Sequence, residues 1–193
     1  MTRIDWSSGH WTNPPLHADA AGADLAVTAV EGSDAWRQTS YGFVHDTEHA
    51  LLAPFADETA MEVEFTAAFE SQFDQAGLFV RVSEDHWIKA GVEFTDGRLQ
   101  LGAVVTQGCS DWSVAPVDAW LDTPVRIRVS RSGNALTVRA RGAGASLQLV
   151  RVIPFDIALD AVAGPFVCAP TRAGLTVTFT DWRRTSADGT LHP

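Results

Sequence analysis

Residues 73–116, FDQAGLFVRVSEDHWIKAGVEFTDGRLQLGAVVTQGCSDWSVAP, constrain the fold more than any other part of the chain. Apolar residues recur there at every second position, and turn-forming residues interrupt the pattern. A period of two puts successive side chains on opposite faces of an extended strand, whereas a helix needs a period near 3.6. The pattern predicts three strands, residues 76–82, 86–94 and 98–106, and then a loop. Asp96-Gly97 marks the second turn, because both residues tolerate the positive φ of a tight hairpin. Leu78, Val80, Ile88, Val92 and Leu101 fall on one face. The opposite face carries Gly77, Phe79, Arg81, Trp87, Lys89, Gly91 and Glu93.

The same alternation extends in both directions. Residues 24–30 and 50–55 read as strands, and residues 35–46 as a short strand and a loop. In residues 61–69, Met61, Val63, Phe65, Ala67 and Phe69 share a core face. Glu62, Glu64, Thr66 and Ala68 form a polar face expected to meet solvent. Residues 124–131, 135–140, 147–153, 164–168 and 175–182 continue the pattern, with another hairpin turn at Ser132-Gly133-Asn134. No long stretch has helical period, and residues 157–162 are expected to make at most a short turn. Short strands with Gly, Pro and Asp turns between them predict an all-β, antiparallel two-sheet sandwich with little helix. A chain of 193 residues is long enough for one such core. The expected domain is single, with its core over about residues 24–182, a short N-terminal lead and a frayed tail from Ser186.

The net charge of −10 argues against nucleic acid or an anionic membrane as partner, since both need clustered Lys and Arg. The sequence shows no apolar run of signal-peptide or membrane-span length. Two cysteines, Cys109 and Cys168, do not make a disulfide scaffold, so a cytoplasmic location with free thiols is expected. The histidines have no metal-ligand spacing, and neither a metal nor a cofactor is expected. No GxSxG elbow is present, and Cys109 reads as a structural thiol. Lys89 is the single lysine of the chain.

The run DQAGLFVRVSEDHWIKAGVEFTDGRLQLGAVVTQGCSDWSVAP, together with DAWRQTSYGFVHD and GPFVCAPTRAGLTVTFTDW, closely resembles the regulation-of-enolase protein family. That family is also catalogued as a domain of unknown function within the concanavalin A-like lectin/glucanase superfamily. The resemblance covers most of residues 35–182. It departs at Cys109, where the family's G-aromatic-S-D-W-S motif has an aromatic residue. The resemblance implies a concanavalin A-like jelly roll, and in that superfamily the concave sheet face binds or cleaves saccharides. It implies no activity here, because fold alone does not determine function.

Trp87, Lys89 and Glu93 share one face of one strand, which reads as a ligand site or as an ordinary solvated face under a Trp cover. Lys89 and Glu93 lie about 13 Å apart along the strand, at about 3.3 Å per residue, so each needs another partner. Arg81 is the expected cross-strand partner of Glu93 or Glu84. Ser110, Asp111 and Trp112 read as the rim of the site, and Trp36 and Tyr41 as stacking surfaces. His45 reads as a surface histidine. Hydrolysis of a glycosidic bond needs two carboxyl groups about 5–10 Å apart. Laminarinase-type relatives in the superfamily carry them on one strand as E-x-D-x-x-E, which is absent here. Only Glu93, with Asp111 or Asp74 as a remote second group, remains. The expected function is therefore a binding module, not an enzyme, for a small polar or carbohydrate-like ligand. Lys89 and Arg81 would suit a sugar acid or a phosphorylated sugar. The alternatives are a carbohydrate-active enzyme with Glu93 as acid/base, and a regulatory module that binds another protein.

Overall fold

The computed structural model describes residues 1–66 and 68–192. Its strands are β1 (Thr2–Arg3), β2 (His10–Trp11), β3 (His17–Ala21), β4 (Asp24–Thr28), β5 (Ala35–Arg37), β6 (Val44–Asp46), β7 (His49–Pro54), β8 (Thr59–Thr66) and β9 (Asp74–Arg81). They continue with β10 (His86–Thr95), β11 (Arg98–Gln107), β12 (Cys109–Pro116), β13 (Val125–Ser132), β14 (Ala135–Arg141), β15 (Gln148–Pro154), β16 (Val162–Cys168) and β17 (Thr176–Ser186). The only helical elements among the described residues are two 3-10 turns, Trp6–Ser8 and Asp118–Trp120.

Two antiparallel sheets make the sandwich. The first has the order β15-β14-β13-β8-β17-β4-β3, with β1 also on β17; the second has the order β12-β11-β10-β9-β16-β7-β2. Their inner faces carry the expected alternating residues. Met61, Val63, Phe65, Ile127 and Phe179 from the first sheet meet Leu78, Val80, Ile88, Ala90 and Val92 from the second. Ala67 lies outside the described residues. Trp182 is fully buried and donates its indole N–H to Met61 Sδ at 3.2 Å. The Asp96-Gly97 turn has positive φ at both residues, 53° and 75°, as the β10–β11 hairpin requires.

Four expectations are corrected. Residues 107–113 are not a loop: Gln107 pairs with Cys109 around Gly108, and residues 109–116 run along β11 as β12. Alternating Ser110, Trp112 and Val114 supply a face that the sheet edge can pack.

The N-terminal lead belongs to the fold. β1 pairs with β17, β2 with β7 and β3 with β4, and Trp6 stacks on Trp182 at 5.8 Å.

The tail does not fray at Ser186, because Asp188 pairs with Arg128 at 2.7 Å and with Arg139 at 3.0 Å.

The polar face of β8 does not meet solvent. Glu62 is 6% exposed and accepts from Arg126, Arg128 and Arg183 at 2.6–2.9 Å. Arginine stems shield the carboxylates from water, which alternation alone does not reveal.

Candidate functional site

The site lies on the outer face of the second sheet. β10 presents Trp87, Lys89, Gly91 and Glu93 there. In register with them stand Arg81, Phe79, Gly77 and Gln75 on β9, and Thr106, Val104, Gly102 and Gln100 on β11. Three kinds of row result: apolar, empty and polar.

The apolar rows build a second small core. Phe79 stacks on Trp87 at 5.3 Å, and both pack with Leu52, Val104, Phe166 and Trp36. Trp36 comes from the hairpin β5–β6, which pairs with neither sheet and lies over this face. Polar bonds hold the hairpin down. Ser33 Oγ donates to Val30 O and accepts from the Ala169 amide at 3.0 Å, and Ser110 Oγ accepts from the Arg37 amide at 2.9 Å. Residues 35–46, expected as a strand and a loop, are thus a cover.

The empty row is Gly77, Gly91 and Gly102. A Cβ at Gly91 would lie 2.2 Å from Ala76 O, at Gly77 2.1 Å from Ala90 O, and at Gly102 2.0 Å from Ser113 O. These contacts are with backbone, which cannot swing aside. Glycine inside a strand marks such close approach. Gly91→Ala is expected to cost about 3 kcal/mol or more in urea unfolding, because adjacent strands must separate. A cost below 1 kcal/mol would contradict the crowding.

Beyond the glycines opens a pocket of about 310 Å³. Trp36, Tyr41, Phe43, His45, Phe73 and Trp112 wall it, and Asp34, Gln75, Lys89 and Glu93 form its polar part. Trp36 meets Trp112 at 90° and Tyr41 at 69°, while Tyr41 stacks on Phe43 at 5.3 Å.

Lys89 is 5% exposed. Its Nζ donates to Gln75 Oε1 at 2.7 Å and to Asp34 Oδ1 at 3.1 Å. Asp34 Oδ1 also accepts from Gln75 Nε2 at 3.2 Å and from the Ala35 amide at 2.8 Å. Asp34 Oδ2 accepts no hydrogen bond among the described residues. Burial pulls the Lys89 ammonium down, but the charge of Asp34 outweighs it and holds the group above its usual range.

Glu93 is half-buried, and among the described residues its carboxyl makes no hydrogen bond or ion pair. Burial pushes it up from 4.5 to about 7; the Lys89 charge opposes this, and the charges of Asp34 and Asp96 add to it. The folded state therefore holds a proton that the unfolded chain releases near pH 4.5. The contribution to stability is present below pH 4.5 and is lost as pH rises through 7, by at most about 3 kcal/mol. Glu93→Gln is expected to remove that loss, so the variant gains on the wild type between pH 5 and pH 8 in urea titrations. Equal pH dependence in both proteins would contradict the buried carboxyl.

Of the residues expected at the site, Trp36, Tyr41, Lys89, Glu93 and Trp112 line the pocket, and four do not. Arg81 lies across from Trp87, six residues from Gln75, and pairs with buried Glu48 at 3.7 Å. Among the described residues it makes no ion pair with Glu93 or Glu84. Trp87 is 2% exposed under the hairpin and offers no stacking face. Ser110 is buried against Thr106 and positions the hairpin. Asp111 points to the opposite face and bridges to Arg151 on β15 at 2.8 Å. Asp74 is fully buried and is held by Arg172 at 2.8 Å, so it is no partner for Glu93 either. His45 lines the pocket with its ring edge-on to Phe43 at 4.6 Å.

Sequence reasoning missed Asp34, Gln75, Phe43 and Phe73. A signal for Asp34 was available: a single lysine on a face with Phe79 and Trp87 needs a carboxylate to enter a core.

Fold and site define a class: a jelly-roll β-sandwich with an aromatic, polar-floored pocket on one outer sheet face. No helix among the described residues is long and apolar enough to cross a membrane. The chain belongs to the family described as "Protein of unknown function (DUF1349)", whose model matches residues 11–187. It is 35% identical over 188 residues to Regulation of enolase protein 1 of Saccharomyces cerevisiae, covering 95% of this chain and 92% of the relative. A crystal structure described as a functionally unknown protein from Saccharomyces cerevisiae matches with a TM-score of 0.90 and 34% identity, over 96% of this chain and 100% of that one. The xylan beta-1,4-xylosidase from Bacillus halodurans C-125 matches with a TM-score of 0.66 at 15% identity. That match covers 84% of this chain and 33% of the xylosidase, and it speaks to the fold alone.

Proposed function

We propose that the protein binds a small polar or carbohydrate-like ligand in the pocket between the β5–β6 hairpin and the sheet. The observation that carries this reading is the pocket's lining, aromatic walls over the polar floor of Asp34, Gln75, Lys89 and Glu93. Aromatic faces take the C–H faces of a sugar ring, and a few placed polar groups fix its hydroxyls. A volume of about 310 Å³ lies at the small end of ligand sites. A sugar acid or sugar phosphate loses its support, because Asp34 already neutralises Lys89 and Arg81 lies elsewhere. Cys109 and Cys168 are both free, which accords with a cytoplasmic setting.

A thermal-shift screen of neutral and charged monosaccharides, run on wild type and Trp112→Ala, tests the reading. A ligand held by the folded state raises the midpoint. Trp112 is 37% exposed, so its removal should leave the fold intact. The expected result is a hit that shifts the wild type and not the variant. Equal shifts would place the ligand elsewhere, and no shift would favour a regulatory module with a protein partner.

One observation favours an enzyme as the second reading. Gln75 stands opposite Glu93 and donates to Asp34, and both carboxyl groups line the same pocket. Glycosidases hold theirs about 5–10 Å apart. Product formed from a bound glycoside, and abolished in Glu93→Gln, would establish this reading; binding without product would remove it.

A further inference from the structure

The charges in the pocket do not balance. Asp34 and Lys89 cancel, with Nζ and Oδ1 at 3.1 Å, and Glu93 is left over. The groups around Glu93 are Gln75 from β9, Lys89 on its own strand, Asp96 in the turn that follows it, Gln100 from β11, Trp112 from β12, and Asp34 and His45 from the covering segment. The Lys89 ammonium is the one fixed positive charge among them, and it is bound to Asp34. A neutral ligand that displaced water here would leave Glu93 either unpaired as a carboxylate or protonated, and would gain no charge pairing from it. A cationic ligand would pair with it. The walls suit the same charge, since Tyr41 and Trp112, 58% and 37% exposed, line the pocket beside Trp36, and aromatic faces attract ammonium groups.

We propose that the pocket selects a ligand carrying one positive charge, an organic ammonium such as an amino sugar or a methylated amine, with Glu93 as its counter-ion and Trp36, Tyr41 and Trp112 around it. This rests on the small-ligand reading of the pocket and names its chemical class. The unpaired carboxyl makes binding depend on pH. Glu93 takes up its proton near pH 7, so a cation meets a neutral acid at pH 6 and a carboxylate at pH 8. For a ligand of permanent charge, affinity should rise about tenfold between those values.

The test is calorimetric titration of the whole protein with glucosamine, N-acetylglucosamine, glucose, glucuronate and choline. Glucosamine and choline separate a sugar amine from an ammonium as such. Choline, whose charge does not change with pH, is also titrated at pH 6 and pH 8 on wild type, Glu93→Gln and His45→Gln. The expected result is a cation bound at least about tenfold more tightly than its neutral counterpart. Choline, where it binds, should bind more tightly at pH 8, and the pH effect should be lost in Glu93→Gln and kept in His45→Gln. Thermal midpoints confirm that the variants are folded. Equal or tighter binding of glucose, N-acetylglucosamine or glucuronate would overturn the proposal and leave the small-ligand pocket standing. A pH effect that persists in Glu93→Gln would also overturn it. Failure of all five compounds to bind would sink both readings.

Discussion

Glu62→Ala is expected to destabilise the fold by about 3–5 kcal/mol, the cost of removing a buried carboxylate that three guanidinium groups share. Glu62 is 6% exposed, and Arg126 and Arg128 beside it are 7% and 8% exposed. It takes hydrogen bonds from three guanidinium groups, Arg126, Arg128 and Arg183. Removing its carboxylate leaves Arg128 to Asp188, and Arg126 to Glu64 and Asp181. Each 1 kcal/mol moves the midpoint of a chain this size by about 2–4 °C, so a loss near 10 °C is expected in a thermal melt. Burial alone would raise the Glu62 pKa, but the hydrogen bonds from Arg183 and Arg128, with the charge of Arg183, outweigh it and hold the carboxyl below its usual range. A group depressed in the folded state stabilises above its unfolded pKa near 4.5, and that contribution is lost as pH falls through the lower folded value. Glu62→Gln should therefore flatten the acid limb of the stability curve. A change below 1 kcal/mol in Glu62→Ala would mean that the arginines reach water in solution.

Lys89→Ala is expected to cost a similar amount, about 3–5 kcal/mol, for a different set of reasons. The ammonium is buried between Asp34 and Gln75, and its stem packs on the face that holds Phe79 and Val104. Truncation leaves Asp34 charged without its counter-ion, removes a partner of Gln75 and opens a void beside Phe166. A double-mutant cycle separates these effects. Lys89→Met with Asp34→Asn should recover much of the loss seen in Lys89→Met alone, because both charges are then gone. Additive losses would show that the pair is not coupled. One practical consequence is that Lys89→Ala disturbs the fold and is a poor probe of ligand binding. Trp112 and Glu93 are better probes, since Trp112 is 37% exposed and Glu93 makes no ion pair among the described residues.

The strands were legible because alternation is a local property. Leu78, Val80, Ile88, Ala90 and Val92 enter the core as the period of two demands, and Asp96-Gly97 turns where its chemistry allows. The shared outward face of Lys89 and Glu93 follows from the same count. The segment was misread as a loop because Ser110, Asp111 and Trp112 look like loop residues, yet they alternate along an edge strand, which leaves Trp112 alone of the three in the pocket. Arg81 was misassigned because its strand neighbours were right but its register was not: it meets Trp87, and Gln75 meets Glu93.

Sequence by itself determined most of the long strands, their core faces and the side of the sheet on which a site could lie. A period of two and a few turn residues suffice for that, since sterics confine each to its own neighbourhood. Only the tertiary structure decided what covers that face and which charges meet there. Asp34 lies 55 residues from Lys89 in sequence, and the covering segment reaches the sheet through side chains such as Ser33, Asp34, Trp36 and Ser110. A buried ammonium needs a carboxylate wherever the chain can deliver one, and desolvation, not spacing, selected Asp34 as its partner and left Glu93 without one.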